Sequence, residues 1–145
     1  MFRLTAKDED YLETVYRLSL DNDTVGVTDV AKARGVSVPT ARAAVAKLIR
    51  NELVRQQHYG KIVLNPSGKK LGEELYQVHS VLRQFLTEIL LLDPKEAERE
   101  ACLMEHGLSK TTLKRLTLFL DVVDNCGNGK PGCLRRYKNT VTVGK

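Results

Sequence analysis

Long apolar runs are missing from this sequence. None approaches the roughly 18 consecutive residues of a membrane-spanning helix, and 42% hydrophobic against 28% charged residues is the balance of a soluble globular chain with no membrane partner. A leader-like start is missing too: Met1-Phe2-Arg3-Leu4-Thr5 has neither an apolar core nor a small-residue cleavage site, which gives the expectation of a cytoplasmic protein. Cysteine is scarce, and in that compartment Cys102, Cys126 and Cys133 are expected as reduced thiols. There is no internal repeat and no H-E-x-x-H pair of the kind that carries a hydrolytic zinc. The length of 145 residues fits one ordinary domain or two small ones.

Acidic side chains are absent from the last stretch. Residues 125–145 carry 5 Lys and Arg and no Asp or Glu, residues 73–124 carry 6 against 10, and residues 1–72 carry 12 against 8, within a formal net charge of +5. A basic N-terminal half beside an acidic middle suggests an anion-binding module next to one with carboxylates to offer a cation; the plain alternative is solvated surface charge.

What is present reads mostly as helix. Thr5 with Asp8 resembles a capping box, and Tyr11, Leu12, Val15, Tyr16 and Leu18 recur at helical spacing, predicting a helix from about Ala6 to Leu20. Asp21-Asn22-Asp23 breaks it. Thr28 can cap a short second helix that Gly35 stops, and Ser37 caps a third, with Pro39 tolerated in its first turn and Ala41, Ala44, Val45, Leu48 and Ile49 on one face down to Asn51. Two short helices around a tight glycine turn form the helix-turn-helix pattern. Leu53–Gln57 and Lys61–Leu64 predict two strands around His58-Tyr59-Gly60, a hairpin wing. After Pro66 and Ser67 a long helix to Leu92 carries Leu71, Leu75, Val78, Leu82, Phe85, Leu86 and Ile89, a stripe too apolar for so small a domain to bury alone, so a second copy of the chain is expected against it. A helix follows Pro94 to about Gly107, and another, capped by Ser109, carries Leu113, Leu116, Leu120 and Val123. The expected fold is mainly α with a small β-hairpin wing: a winged helix-turn-helix domain over residues 1–70, a helical metal-binding and dimerisation domain over 71–125, and a basic flexible tail over 126–145.

Two constellations carry chemistry. In a winged helix the third helix enters the major groove, so Ser37, Val38, Pro39, Thr40 and Arg42 near its start are candidates for base edges, with Arg42 able to fork onto a guanine. Lys47, Arg50, Arg55 and Lys61 suit phosphates. In Cys102-Leu-Met-Glu105-His106, positions i, i+3 and i+4 put a thiolate, a carboxylate and an imidazole on one helix face. His79 flanks the long apolar stripe, and Asp10 and Glu13 form a further i, i+3 pair. Mixed sulfur, nitrogen and oxygen donors suit Fe(II), Mn(II), Co(II), Ni(II) or Zn(II) rather than Ca(II) or Mg(II). Each residue also has a plain reading, Cys102 as a small buried hydrophobe, His79 and His106 as core histidines, Asp10 and Glu13 as surface carboxylates; the set as a whole favours a metal. Cys126 and Cys133, bracketing Asn-Gly-Asn-Gly-Lys-Pro-Gly, could form a disulfide, hold a second metal or remain free thiols, and no nearby His or Cys completes a ligand set.

Asp10-Tyr11-Leu12-Glu13, the segment Val30-Ala31 through Thr40, the wing ending Leu64-Asn65-Pro66-Ser67-Gly68, His79 with Phe85-Leu86, and Cys102 through Ser109 together resemble the diphtheria-toxin-repressor family of metal-dependent regulators over about residues 5–120. The length suits the two-domain, manganese-transport-regulator-like branch rather than members with an SH3-like third domain. The resemblance implies metal ligands at Asp10, Glu13, His79, Cys102, Glu105 and His106, a homodimer, and palindromic operator DNA of metal-uptake genes as target, with Fe(II) or Mn(II), one or two per subunit, as corepressor. Co(II), Ni(II) or Zn(II) would substitute in vitro. Cys102 follows the iron regulators where the manganese branch has a carboxylate, Asp10 replaces the iron regulators' methionine, and Arg83 and Glu98 stand where the iron branch completes an ancillary site. A bound ion would bridge the two halves and so set the spacing of the recognition helices. Two other readings stay open, a metal-independent winged-helix interaction module and a small metallohydrolase with Glu105 or Glu13 as base; the leading reading is not an enzyme.

Overall fold

In the computed structural model, which describes residues 4–125 and Val143, helix α1 (Ala6–Ser19) begins at the pair the sequence singles out. Thr5 Oγ1 accepts from the Asp8 backbone N–H at 3.3 Å while Asp8 Oδ2 accepts from the Thr5 N–H at 3.1 Å, so two amides that the helix start would otherwise orphan are satisfied reciprocally. By contact, the chain divides into two units, Met1–Gln77 and Val78–Lys145.

In the first unit, Gly35 ends α2 (Val27–Arg34) in the left-handed conformation at φ 63°, where a side chain would be strained. The start of α2 differs from expectation: Asp29 rather than Thr28 supplies the cap, its carboxylate accepting from the Gly26 N–H at 3.1 Å. Ser37 caps α3 (Val38–Arg50) by accepting from the Thr40 N–H at 3.3 Å. The wing strands β2 (Val54–Gln56) and β3 (Lys61–Leu64) pair antiparallel with Arg55 opposite Val63, around a single 3-10 turn at His58–Gly60. A third strand, β1 (Val25–Gly26), pairs with the other edge of β3, Val25 opposite Ile62, giving the order β1-β3-β2. Tyr11, Leu12 and Val15 of α1, Val30 of α2, Ala41 and Leu48 of α3, and Val54 and Ile62 of the sheet close the core, each fully buried aliphatic contributing on the order of 1.5–3 kcal/mol.

Helix α4 (Pro66–Gln84) is anchored on this core at its start. The Glu52 carbonyl accepts from Asn65 Nδ2 at 2.9 Å and Ser67 Oγ at 3.0 Å. A Cβ at Gly68 would lie 1.9 Å from the Leu53 carbonyl oxygen, and one at Gly72 would lie 2.7 Å from Tyr16 Cβ. Only glycine lets the helix come so close.

In the second unit the α-helical hydrogen bonding of α4 gives way to a π-helical turn at Phe85–Ile89, not to α-helix as far as Leu92. The Leu90 N–H donates to the Phe85 carbonyl at 3.2 Å, and Leu91 takes φ 57° to turn the chain. Asp93 caps α5 (Pro94–Glu105), its carboxylate accepting from the Lys95 N–H at 2.9 Å. Ser109 caps α6 (Lys110–Asn125) by accepting from the Thr112 N–H at 3.2 Å. Leu82, Leu86, Ala97 and Ala101 form the core here, with Leu113 and Leu116 packed on it.

The apolar stripe of α4 is partly used inside the chain: Leu82, Leu86 and Ile89 are buried, whereas Leu71, Leu75, Val78 and Phe85 are half-buried. Leu71 and Leu75 pack on the first core, and Leu82 and Leu86 are buried in the second. The helix passes from one unit into the other, so each half of the stripe has its own core to join. Among the large apolar side chains left in solvent in the second unit are Leu103 on α5, Leu118, Phe119 and Val122 on α6, and Leu90 just after the π turn. No helix among the described residues is long and apolar enough to cross a membrane. The predicted tail, with Cys126 and Cys133, lies outside the described residues.

Candidate metal centre and nucleic-acid interface

The first unit exposes most of the residues predicted to read DNA. Ser37, Pro39, Thr40 and Arg42 at the start of α3 are exposed, as are Arg50 near its end and Arg55 and Lys61 on the wing strands. Val38 is different: it is half-buried and packs against the core, which fits it to setting the helix start rather than to meeting a base. Lys47 is exposed but engaged, with Nζ 3.4 Å from Asp8 Oδ1. Burial would raise the Asp8 carboxyl, but hydrogen bonds from Thr5 and the Lys47 charge outweigh it and hold the group below its usual value. One exposed side chain escaped the sequence reading: Tyr59 is entirely in solvent at the wing's turn, at φ 63°. The sequence pattern places it in the turn between the wing strands, and a lone turn aromatic carries no periodicity that marks it for a role.

Asp10 and Glu13 lie one turn apart on α1 of this unit, Glu13 buried and Asp10 half-buried. Asp10 Oδ2 is 3.1 Å from Arg34 Nη2, and the same guanidinium sits 5.4 Å from the centre of the Tyr11 ring. That pairing orients the Asp10 carboxylate.

The second unit brings the other four predicted ligands together. His79 comes from α4; Cys102 and Glu105 come from successive turns of α5, and His106 from the residue that ends it. His79 Nδ1 is 2.9 Å from Glu105 Oε2 and 3.9 Å from Cys102 Sγ, and a nitrogen, sulfur and oxygen donor from these three residues lie within 4.8 Å of one another. His106 Nε2 reaches Glu105 Oε1 at 3.3 Å. His79 is 3% exposed and Glu105 8% exposed, so this polar cluster is drawn out of water, where polar groups are costly unless they are paired with one another or with a cation. An imidazole, a thiol and carboxylate oxygens facing one small volume make a donor set that fits a divalent transition ion. A hard ion such as Mg(II) would have no use for the sulfur.

Glu98 belongs to this cluster as well. Its Oε2 lies 3.2 Å from His79 Nε2, on the side of the ring away from Glu105, and 4.0 Å from Arg83 Nε. The sequence reading treated Glu98 only as a departure from an ancillary site. The signal was available, because positions 98, 102, 105 and 106 are spaced i, i+4, i+7 and i+8 along one helix face.

Comparison with known proteins divides the chain in a similar way. Residues 3–62 match the family described as iron dependent repressor, N-terminal DNA binding domain, and residues 65–134 match iron dependent repressor, metal binding and dimerisation domain. An uncharacterised helix-turn-helix-type transcriptional regulator of Methanocaldococcus jannaschii is 33% identical over 114 residues, covering 78% of this chain and 91% of the relative. The helix-turn-helix-type transcriptional regulator MntR of Bacillus subtilis is 32% identical over 112 residues, covering 77% of this chain and 78% of MntR. Among solved structures, the manganese regulator SloR superposes with a TM-score of 0.71 at 30% identity over 81% of this chain. The chain spans only 55% of the SloR chain.

Proposed function

Because the chain belongs to the iron-dependent repressor family, that of the diphtheria toxin repressor, in its MntR-like branch, we propose that it is a metal-activated transcription repressor that binds palindromic operator DNA as a homodimer. Its corepressor is Fe(II) or Mn(II), and the genes it shuts off are those of metal uptake. The observation that carries this reading is the convergence of buried His79 and Glu105 with half-buried Cys102 within 4.8 Å, in the half of the chain whose family is described as metal-binding. The name of SloR, a manganese regulator, supports the choice of metal.

The proposed ligands are Asp10, Glu13, His79, Cys102, Glu105 and His106. A bound divalent cation supplies the positive charge that lets a thiolate and several carboxylates share one small volume. His79 contributes Nδ1, the ring nitrogen that faces the sulfur and the Glu105 oxygen. In the DNA-binding half, Thr40 and Arg42 meet base edges while Arg50, Arg55 and Lys61 hold phosphates. A ligand set that orders the chain reduces the fraction of molecules in conformations unable to bind DNA, which raises apparent affinity in proportion.

The test is an anaerobic titration of a fluorescent palindromic duplex taken from the upstream region of the protein's own gene or of a metal transporter. Affinity should rise with Fe(II) or Mn(II), fall on adding chelator, and fall again in His106→Ala. Equal binding with metal and with chelator would leave a metal-independent winged helix and sink the proposal.

A further inference from the structure

We propose that Arg34 is a positioning residue for metal binding: from the end of α2, its guanidinium holds the Asp10 carboxylate in the orientation that serves the ion. The inference rests on the metal reading above, in which Asp10 is a ligand, and adds to it a residue outside the six. Arg34 Nη2 donates to Asp10 Oδ2 at 3.1 Å across a sequence separation of 24 residues, and the guanidinium carbon lies 5.4 Å from the centre of the Tyr11 ring. Tyr11 is 1% exposed, so the surface on which the guanidinium rests is fixed by the core. A planar guanidinium held on a ring face keeps its N–H groups aimed, and it loses less freedom per hydrogen bond than an ammonium would. An aspartate on a helix otherwise samples more than one rotamer, and each excursion removes a ligand from the ion. Carboxylates that bind metals are themselves hydrogen-bonded, and removing such an outer partner typically costs about 10–100-fold in affinity.

Arg34 is placed to orient Asp10 rather than to stand in for the ion. The side chains of Arg34 and Asp10 are 27% and 19% exposed, so water reaches the guanidinium and screens its repulsion of a cation. An ion pair this open to water contributes little to folding; its larger consequence is the direction it gives Asp10. Arg34 is the last residue of α2, directly before the left-handed Gly35 that turns the chain toward α3. The proposed ligand on α1 is therefore directed by the helix-turn-helix itself.

Co(II) titrated anaerobically into the full chain against a competing chelator gives the affinity, and its ligand-field bands report the coordination. Arg34→Met keeps an unbranched side chain over the Tyr11 ring and removes the N–H groups. It should weaken Co(II) binding about 10–100-fold, with the number of ions bound unchanged and the ligand-field bands shifted toward those of Asp10→Ala. Asp10→Ala should weaken binding at least as much. Adding Arg34→Met to Asp10→Ala should then cost nothing more, since a positioning residue acts only through the residue it positions. Unchanged Co(II) binding in Arg34→Met would overturn the proposal, and so would tighter binding, which would make the guanidinium a competitor of the ion. Losses that multiply in the double variant would overturn it as well, because a general effect on the fold does not need Asp10. If Asp10→Ala alone leaves Co(II) affinity unchanged, Asp10 is not a ligand, and the metal reading fails at that position together with this inference. A loss in Asp10→Ala with none in Arg34→Met sinks this inference alone.

Discussion

One atom type in the metal cluster bears on which ion the protein senses. Thiolates bind the later first-row metals more tightly than Mn(II), whereas carboxylates favour harder ions. Cys102 is the only sulfur donor among the ligands proposed, beside Glu105 and His79. Cys102→Glu should therefore lower Fe(II)- or Co(II)-activated operator binding relative to Mn(II)-activated binding. Anaerobic anisotropy that finds the ratio of the two responses unchanged would make Cys102 a packing residue. A second residue-scale effect concerns Asp8, whose folded carboxyl lies below its usual value of 3.8. A depressed acid stabilises the fold at pH values above its unfolded pKa and loses that contribution as pH falls through the folded pKa. Asp8→Asn should cost about 1 kcal/mol at neutral pH, the size of a helix cap, and the gap between variant and wild type should shrink below about pH 4. Urea midpoints measured at both pH values check this, and a gap that persists in acid would mean that packing, not charge, is lost.

At the scale of elements, α4 depends on two glycines that sequence patterning does not single out. Gly68 meets the Leu53 carbonyl and Gly72 meets Tyr16, so the start of the helix lies almost on the backbone of the wing strand's approach. Gly68→Ala should destabilise by about 1–3 kcal/mol, the usual cost of overpacking, although alanine is the better helix former on propensity alone. A rise in the urea midpoint would show that propensity wins. Capped helices were legible because a cap is local: Thr5 with Asp8, Ser37 with Thr40, and Ser109 with Thr112 are each three residues apart. Strand β1 was not, since two residues cannot display an alternation. The π turn at Phe85 was hidden for a related reason, because Phe85, Leu86 and Ile89 keep helical spacing whether the carbonyls are reached from four or from five residues on. The convergence of Cys102 and Glu105 was legible because both lie on α5. The ring orientation of His79 was not, because it depends on partners 19 and 26 residues away, at Glu98 and Glu105.

For the whole molecule, the apolar surface that remains and the distribution of charge decide how two copies would engage DNA. The α4 stripe is partly buried within the chain, while Leu118, Phe119 and Val122 stay exposed on α6, inside the segment whose family is described as a dimerisation domain. Phe119→Glu should thus shift sedimentation toward monomer at micromolar concentration, and an unchanged dimer would place the interface elsewhere. DNA binding then separates reading from holding. Arg42 is exposed on the first turns of α3 and Lys61 on wing strand β3; the proposed roles are a guanidinium reaching the N7 and O6 acceptors of guanine and an ammonium on the phosphate backbone. A base contact is worth energy only on the right sequence; a phosphate contact is worth about the same on all of them and releases a counterion when it forms. Arg42→Ala should accordingly cost about 1–3 kcal/mol on the preferred operator, far less on random duplex, and relax preference at one position. Lys61→Ala should weaken both duplexes alike and reduce the slope of log affinity against log salt by about one. Titrations of the two variants on specific and random DNA at several salt concentrations discriminate these outcomes, and an equal loss on both duplexes for both variants would move the recognition surface off α3.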